Sequence, residues 1–559
     1  MLYTVDAPIK KGSHRTLIKL TWTLLATICL ATLYYHVVQF AVDIPFIDDY
    51  NGLYDFVIKY FESDTFNQKI YYIFRQHNEH RIAFARLMVL LDYYLFGVVN
   101  LRHLIILGSL NLIVMAAIFT HEIRKVSTNI LALTPIVFVF FHFQHGNNLL
   151  WAESSLQNLS VLSLACTSIW LATRKNTALE ISGLFVAALA TFASGTGPLI
   201  WIAIGMVALI NPNKIKILSI VFVGGISMFF YFHGYHASDR GNLFSFEKII
   251  NIVVVVFGVI GSAFDIRETD NHALPVIAGF GMTALFVFVV FKNGFKNLQE
   301  SPRLQFLLGV FLFCLLSALA IGIGRNSFIE NRYKVISSLA VLVTFSSLIP
   351  YIQRRNRLAF FSIINVVAFG GWLLFFWRYY PEMITFTERK IAHYATLINT
   401  PKHPVSAFQY RLDRLSHFGV WSPPSISEQH ETGKSKVEKF SESASPIGLK
   451  EKDKYSLSWH DESKRNETGF LVLESGKSKV FYFIEQERNP LNSFLRTGEM
   501  YSGKRKISIL RSWVPKGNYQ ASIYYPGEAI VIPISDTLQI NKTIPPWLTF
   551  NLFNDQYEP

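Results

Sequence analysis

Up to residue 378 the chain alternates apolar blocks with short polar breaks, and beyond it these blocks stop. Each block runs to about 17–22 residues, enough for a helix rising 1.5 Å per residue to cross a ~30 Å hydrocarbon core. The blocks near 17–39, 101–121, 130–145, 157–173, 178–194, 197–211, 215–233, 274–291, 304–323, 335–352 and 358–378 predict eleven transmembrane helices. Two further apolar stretches fit spans less well. Ile82–Val99 carries Arg86 and Asp92 at helical spacing, which predicts an amphipathic helix on the membrane surface. Ile249–Ala263 has only fifteen residues and reads as a re-entrant or interfacial segment.

The pattern then changes. Pro381 to Phe418 keeps a helical spacing of apolar positions (Ile384, Ile391, Tyr394, Leu397, then Phe408, Leu412, Leu415). The polar stretch Ser422–Ser445 reads as a linker. After it come short alternating runs: Tyr455–Trp459, Phe470–Leu473, Val480–Ile484, Ile507–Leu510, Tyr519–Tyr525 and Ala529–Ile534. Turn residues between them predict strands of a small β-sandwich. The expected organisation is a transmembrane region 1–380 with a first outer loop 41–100, a helical segment and linker 381–447, and a β-rich, sandwich-like domain 448–559. Trp459, Trp513, Tyr524 and Tyr525 are candidates to stack on sugar or, more ordinarily, strand core.

Composition adds little until charge is placed. Hydrophobic residues make up 51% of the 559, and the net charge is +13, yet the cations do not form a nucleic-acid-binding face. They cluster between alternate pairs of spans: Arg124/Lys125, Arg174/Lys175, Lys214/Lys216, Lys292/Lys296/Arg303 and Arg354/Arg355/Arg357. An N-terminus in the cytoplasm puts all five clusters on the cytoplasmic side and the tail after Arg378 outside. The first block reads as an uncleaved span, because no small-x-small site closes it. Cys29, Cys166 and Cys314 all lie in apolar blocks, so the tail holds no cysteine. Long loops then face outward, and a functional site is expected there.

The candidate chemistry sits on that face. Phe46-Ile47-Asp48-Asp49-Tyr50 follows the first span, and His77-Asn78-Glu79-His80-Arg81 precedes the surface helix. Paired acids can supply a base, and the basic run an anion or substrate contact; solvated loop polarity is the plain alternative. Adjacent acids diverge in an extended or turn segment, so they address different partners. Arg325, Arg332, Tyr333 and Lys334 link two spans on the side where the positive-inside rule disfavours cations. They are the phosphate-binding candidates, against snorkelling arginines at helix ends. Asn147, Asn148, Trp151, Glu153 and Gln157 offer amides and an indole suited to sugar hydroxyls and ring faces. Ser194-Gly195-Thr196-Gly197 makes a tight turn where backbone can approach a ligand, though a plain helical hairpin is the simpler reading. His233 and His236 are weak as metal spacing, and Asp265 reads as loop polarity.

This arrangement resembles the GT-C superfamily of polytopic membrane glycosyltransferases. Asp48-Asp49 is similar to that family's acidic motif after the first span, and Ile82–Val99 looks like one of its interfacial helices. The resemblance extends over the architecture to about residue 378. It implies a sugar donor on polyprenyl phosphate, a glycan or lipid acceptor, membrane lipids as surroundings, and attack with inversion. No nucleotide is involved, and the chain has no glycine-rich nucleotide loop. No cofactor is implied, although a divalent metal stays open. The resemblance favours Asp48 as base, typically worth ~10²–10⁴-fold, with Asp49 orienting the loop or binding acceptor and Glu79 the next candidate base. A phosphate leaving group needs charge stabilisation, which arginine provides bidentately. The expectation is an envelope enzyme of a bacterial inner membrane with a periplasmic tail. Its rivals are a transporter or flippase for lipid-linked sugars and a non-catalytic envelope scaffold. Transport predicts internal repeats and charges inside spans, neither of which the sequence presents.

Overall fold

The structure, a computed structural model, describes residues 11–236, 245–266, 272–324, 330–352, 357–399, 406–421, 431–432, 441–442, 454–460, 468–476, 478–510, 517–525 and 530–540. The chain divides into two compact units. The first comprises Met1–Ala41, Thr65–Val89 and Arg102–Tyr380; the second comprises Val42–Asp64, Leu90–Leu101 and Pro381–Pro559.

Among the described residues, ten helices are long and apolar enough to cross a membrane, and two shorter apolar helices, Thr177–Thr191 and Gly197–Ile210, accompany them. Their outer surfaces are apolar too. On Lys214–Phe232 the residues Ile215, Leu218, Val221 and Phe222 are all exposed, as lipid-facing positions are. This is a membrane protein. The helix Arg357–Asn399 runs unbroken through Pro381 for 43 residues. At 1.5 Å per residue that is about 65 Å, twice the hydrocarbon core, so roughly half of it must lie outside.

The first unit has two chemically distinct ends. At one, Lys125 and Arg174 meet Glu122, Lys216 meets Glu180 at 3.0 Å, and Gln299 donates to the Ile210 carbonyl at 3.0 Å. This is the basic end. At the other lie Asp265, Lys334 and Tyr379, together with the hairpin Gln76–Arg81. Phe246–Phe264 is long and apolar enough to span. It packs on Ala273–Glu300, Pro302–Gly324 and Lys334–Ile352: Ile252 abuts Gly322, Gly261 abuts Pro275 and Gly279, and Ala263 N–H donates to Ser337 Oγ at 2.8 Å. Those partners sit within about two turns of their helix ends at 3.6 residues per turn. Glycines permit the crossing. A Cβ on Gly261 would strike the Pro275 carbonyl, and one on Gly279 the Phe257 carbonyl.

The expected surface helix forms as Ala83–Phe96, but with its polarity inverted. Arg86 and Asp92 are both buried. Arg86 donates to the carbonyls of Tyr72 at 3.0 Å, Ile73 at 3.2 Å and Arg75, while Asp92 accepts the Asn100 N–H at 2.7 Å. Leu87, Leu91, Tyr94 and Leu95 are the exposed positions. Helical spacing alone did not distinguish polar groups tying loops inward from polar groups facing water.

The second unit contains two small sheets. One runs in the order Glu431–Thr432, Ile530–Ile540, Gly517–Tyr525, Phe470–Ser475, Ser478–Phe483; the other runs Ser441–Glu442, Lys454–His460, Tyr501–Leu510, Glu485–Arg488. All neighbours are antiparallel except Glu431–Thr432 with Ile530–Ile540. Each of the six runs predicted from alternation overlaps a strand; the polar strand Glu485–Arg488 carried no such signal. Tyr525 is core, with the buried Arg505 guanidinium 5.2 Å from its ring. Phe470 and Phe483 pack with Ala392, and Thr396 Oγ1 accepts the Phe481 N–H at 2.9 Å. In the same unit, helix Ser406–His417 is joined to Asp55–Glu62 by the pairs Arg411–Asp55 at 3.8 Å and Arg414–Glu62.

Candidate functional site

The His-Asn-Glu-His-Arg run folds as a tight antiparallel hairpin, with Gln76 opposite Arg81 and His77 opposite His80. Asn78 takes φ +48°, a left-handed position that asparagine tolerates better than most residues. The run is tied to the end of Lys214–Phe232. Arg81 Nε donates to the Tyr231 carbonyl at 2.6 Å, its two terminal nitrogens reach the Phe74 and His233 carbonyls, and Tyr235 Oη donates to the Glu79 carbonyl at 2.9 Å. Arg81 therefore holds backbone together. Burial, with Arg86, His80 and Arg75 nearby, pushes the His77 imidazole down to about 3, so it is neutral. Gly195 passes so close to His80 that a Cβ would lie 2.7 Å from Cε1. The close approach expected of that glycine turn is thus to a side chain of the hairpin.

At the same end, Gly146–Leu150 and Ala152–Ser154 are interrupted at Trp151 and followed by a π-helical turn, Ser155–Leu159. Such turns are rare and recur at functional sites. The break lets Asn148 reach three partners: it donates to the Arg332 carbonyl at 2.7 Å and accepts from Ser154 Oγ at 2.8 Å and Asn158 Nδ2 at 3.1 Å. The Arg332 guanidinium pairs with Glu330 and lies 5.9 Å from the Trp151 ring and 5.4 Å from that of Tyr333. Glu153 and Gln157 are buried, and Asn147 is half-buried. Gln157 Nε2 has no hydrogen-bond partner among the described residues. Arg332, Tyr333, Asn148 and Trp151 are thus brought together; Arg325 lies outside the described residues.

Lys334 is buried one step further in. Its Nζ is 3.1 Å from Asp265 Oδ2 and 2.9 Å from Tyr379 Oη. Asp265 is therefore a buried ion-pair partner, and the reading of it as loop polarity is corrected. Gln144 Nε2 donates to Tyr379 Oη at 3.4 Å, and the His142 and His145 rings lie tilted against each other with centroids 4.3 Å apart. Neither ring nitrogen of His145 has a hydrogen-bond partner among the described residues. Buried polar atoms are nearly always satisfied, so these unmet atoms set this end apart. His142 and Tyr379 carried no sequence signal, since each reads as one polar atom at the edge of an apolar block.

The acids lie in the second unit. Phe46 N–H donates to Asp49 Oδ2 at 2.9 Å while Asp49 N–H returns to the Phe46 carbonyl at 2.9 Å, closing a tight turn. Ile47, inside it, has φ +39°, a strained conformation for a β-branched residue costing ~1–3 kcal/mol. Asp49 is fully buried and begins a π-helical turn, Asp49–Tyr54; Asp48 is half-buried. Around them Phe46 packs on Phe386 at 4.8 Å, Tyr50 on Tyr54 at 6.4 Å, and both Tyr54 and Tyr394 on Trp421. Among the described residues no group of three or more His, Cys, Asp or Glu is placed to hold a metal. No protein-family model, curated protein or solved structure matches the chain.

Proposed function

We propose that this chain is a membrane glycosyltransferase of GT-C type, moving a sugar from polyprenyl phosphate to an envelope glycan or lipid acceptor with inversion. The observation carrying this reading is the buried polar constellation around Arg332, Trp151, Asn148, Lys334 and His145, gathered at the end opposite the basic clusters. Positive-inside bias makes the basic end cytoplasmic and that constellation outer. Eleven helices then cross: nine of the ten long ones, with Phe246–Phe264 held at the outer end, plus Thr177–Thr191 and Gly197–Ile210. The C-terminal β region is periplasmic and the membrane a bacterial inner membrane. Arg332 takes the donor phosphate, stabilising charge as the glycosidic bond breaks. Trp151 offers a face to the sugar ring. Asp48 is the base, and Asp49, engaged by the Phe46 N–H, shapes the turn presenting it.

The test is donor consumption. Full-length protein is incubated with a panel of polyprenyl-phosphate sugars and membrane acceptors, beside Asp48→Asn. One donor should be consumed by the wild type, and Asp48→Asn should transfer ~10²-fold more slowly with donor binding retained. Lipid-linked sugar carried across a liposome bilayer without chemical change would instead establish a flippase.

A further inference from the structure

At the basic end of the first unit, a cleft of about 540 Å³ opens between Lys125, Arg174, Asn297, Ser301 and Arg303, with the Glu300 carboxylate also on its wall. We propose that it binds an anionic phosphate headgroup, a site separate from the outer constellation.

Three cations reach this cleft. Two are anchored by one carboxylate: Glu122 Oε1 takes Lys125 at 2.7 Å and Arg174 at 2.6 Å, and the Trp170 indole N–H at 2.8 Å. Arg174 also lies over the Trp170 ring at 4.5 Å, which fixes its guanidinium plane. Arg303 differs. It is buried to 6% exposure, one terminal nitrogen donates to the Ser346 carbonyl, and its Nε has no hydrogen-bond partner among the described residues. Among the described residues it makes no ion pair. Glu122 acts on it through space but makes no hydrogen bond to it among the described residues, and a bidentate phosphate would supply the direct partner its Nε lacks. The helix Pro302–Gly324 starts at this cleft behind Ser301, whose Oγ accepts the Leu304 N–H at 3.3 Å, so its positive dipole end points the same way. Counting Glu122 and Glu300 against the three cations leaves net positive charge. Basic pockets between helices on this side of a membrane suit anionic headgroups.

The experiment uses full-length protein in detergent. Phosphatidylglycerol and phosphatidylcholine form the lipid arms, and inorganic phosphate and glycerol 3-phosphate form the soluble arms; bound mass and thermal shift are read in each. Retention of phosphatidylglycerol over phosphatidylcholine is expected. Lys125→Gln should weaken it roughly fivefold at low salt, and Arg303→Gln at least as much. If Arg303→Gln does not fold, Lys125→Gln decides, because its side chain is 35% exposed. Stabilisation by both soluble anions, lost in Lys125→Gln, would assign a free-phosphate site; stabilisation by phosphatidylglycerol alone assigns a lipid one. Absence of any preference for anionic ligand, or a preference undiminished by Lys125→Gln, overturns the proposal.

Discussion

At the basic end of the first unit, one oxygen of Glu122 gathers Lys125, Arg174 and the Trp170 indole, so its carboxylate keeps company if any single donor is lost. At the opposite end Lys334 meets, among the described residues, Asp265 and Tyr379, and imidazoles and amides with unmet hydrogen-bonding capacity surround them. Both ends bury charge, but they hold it differently. A redundant ion cluster fixes helix ends and tolerates change. A cation with one carboxylate partner beside polar atoms with unmet hydrogen bonds is the poorer staple.

Lys334→Met leaves the Asp265 carboxylate buried and unpaired and should destabilise the protein by ~3–5 kcal/mol. Arg174→Met leaves Glu122 with Lys125 and should cost about 1–2 kcal/mol. Denaturation in detergent measures both, and equal losses would erase the distinction. Next comes Arg332→Ala, expected to cut transfer ~10²-fold with weakened donor binding. Stability should hardly move, because Glu330 remains 22% exposed and can turn to water. Arg332→Lys should recover only part, keeping charge without the planar fork. Lys125→Gln, at the other end, should leave transfer within about twofold, since Arg174 and the Trp170 indole still hold Glu122. A loss there matching that of Arg332→Ala would sink the assignment of ends.

A smaller effect concerns the hairpin. His77 has its pKa lowered to about 3, chiefly by burial. Its neutral form is the folded one, so its contribution is complete above the unfolded value of about 6.5 and is lost as pH falls toward 3. Between those limits each pH unit should cost up to about 1.4 kcal/mol. His77→Gln should flatten this part of the stability profile; an unchanged acid limb would show that His77 is hydrated in the folded protein.

Sequence legibility followed the physics of each element. Long apolar blocks announced themselves as spans, and alternation announced the strands, because both patterns extend over many residues. Phe246–Phe264 shows the limit: its packing depends on Gly261 and Gly279 allowing a close approach, a pairwise fact no periodicity carries. At the candidate site, Arg332, Asn148 and Trp151 were legible as polar residues at the wrong end for their charge or size. Asp265 was not, because its meaning comes from Lys334, 69 positions away. Arg81 was legible as polar but not as structural, because its partners are backbone carbonyls, which every residue possesses.

The smallest prediction asks whether the turn at Gly195 serves the hairpin or only its own helices. Gly195 is absent from the glycines with positive φ, so alanine can adopt its backbone. The obstacle is the His80 ring, whose Cε1 would lie 2.7 Å from the new Cβ. Gly195→Ala should therefore cost about 1–2 kcal/mol through overpacking. In a His80→Ala background that wall is gone, and the same change should be neutral or stabilise by up to about 1 kcal/mol through lost unfolded-state freedom. The coupling between the two positions should exceed about 1 kcal/mol in thermal or denaturant unfolding of the full chain. Additive effects would mean the ring swings aside freely, and the turn would then owe its glycine to Gly197 alone, where a Cβ would strike the Ala190 carbonyl.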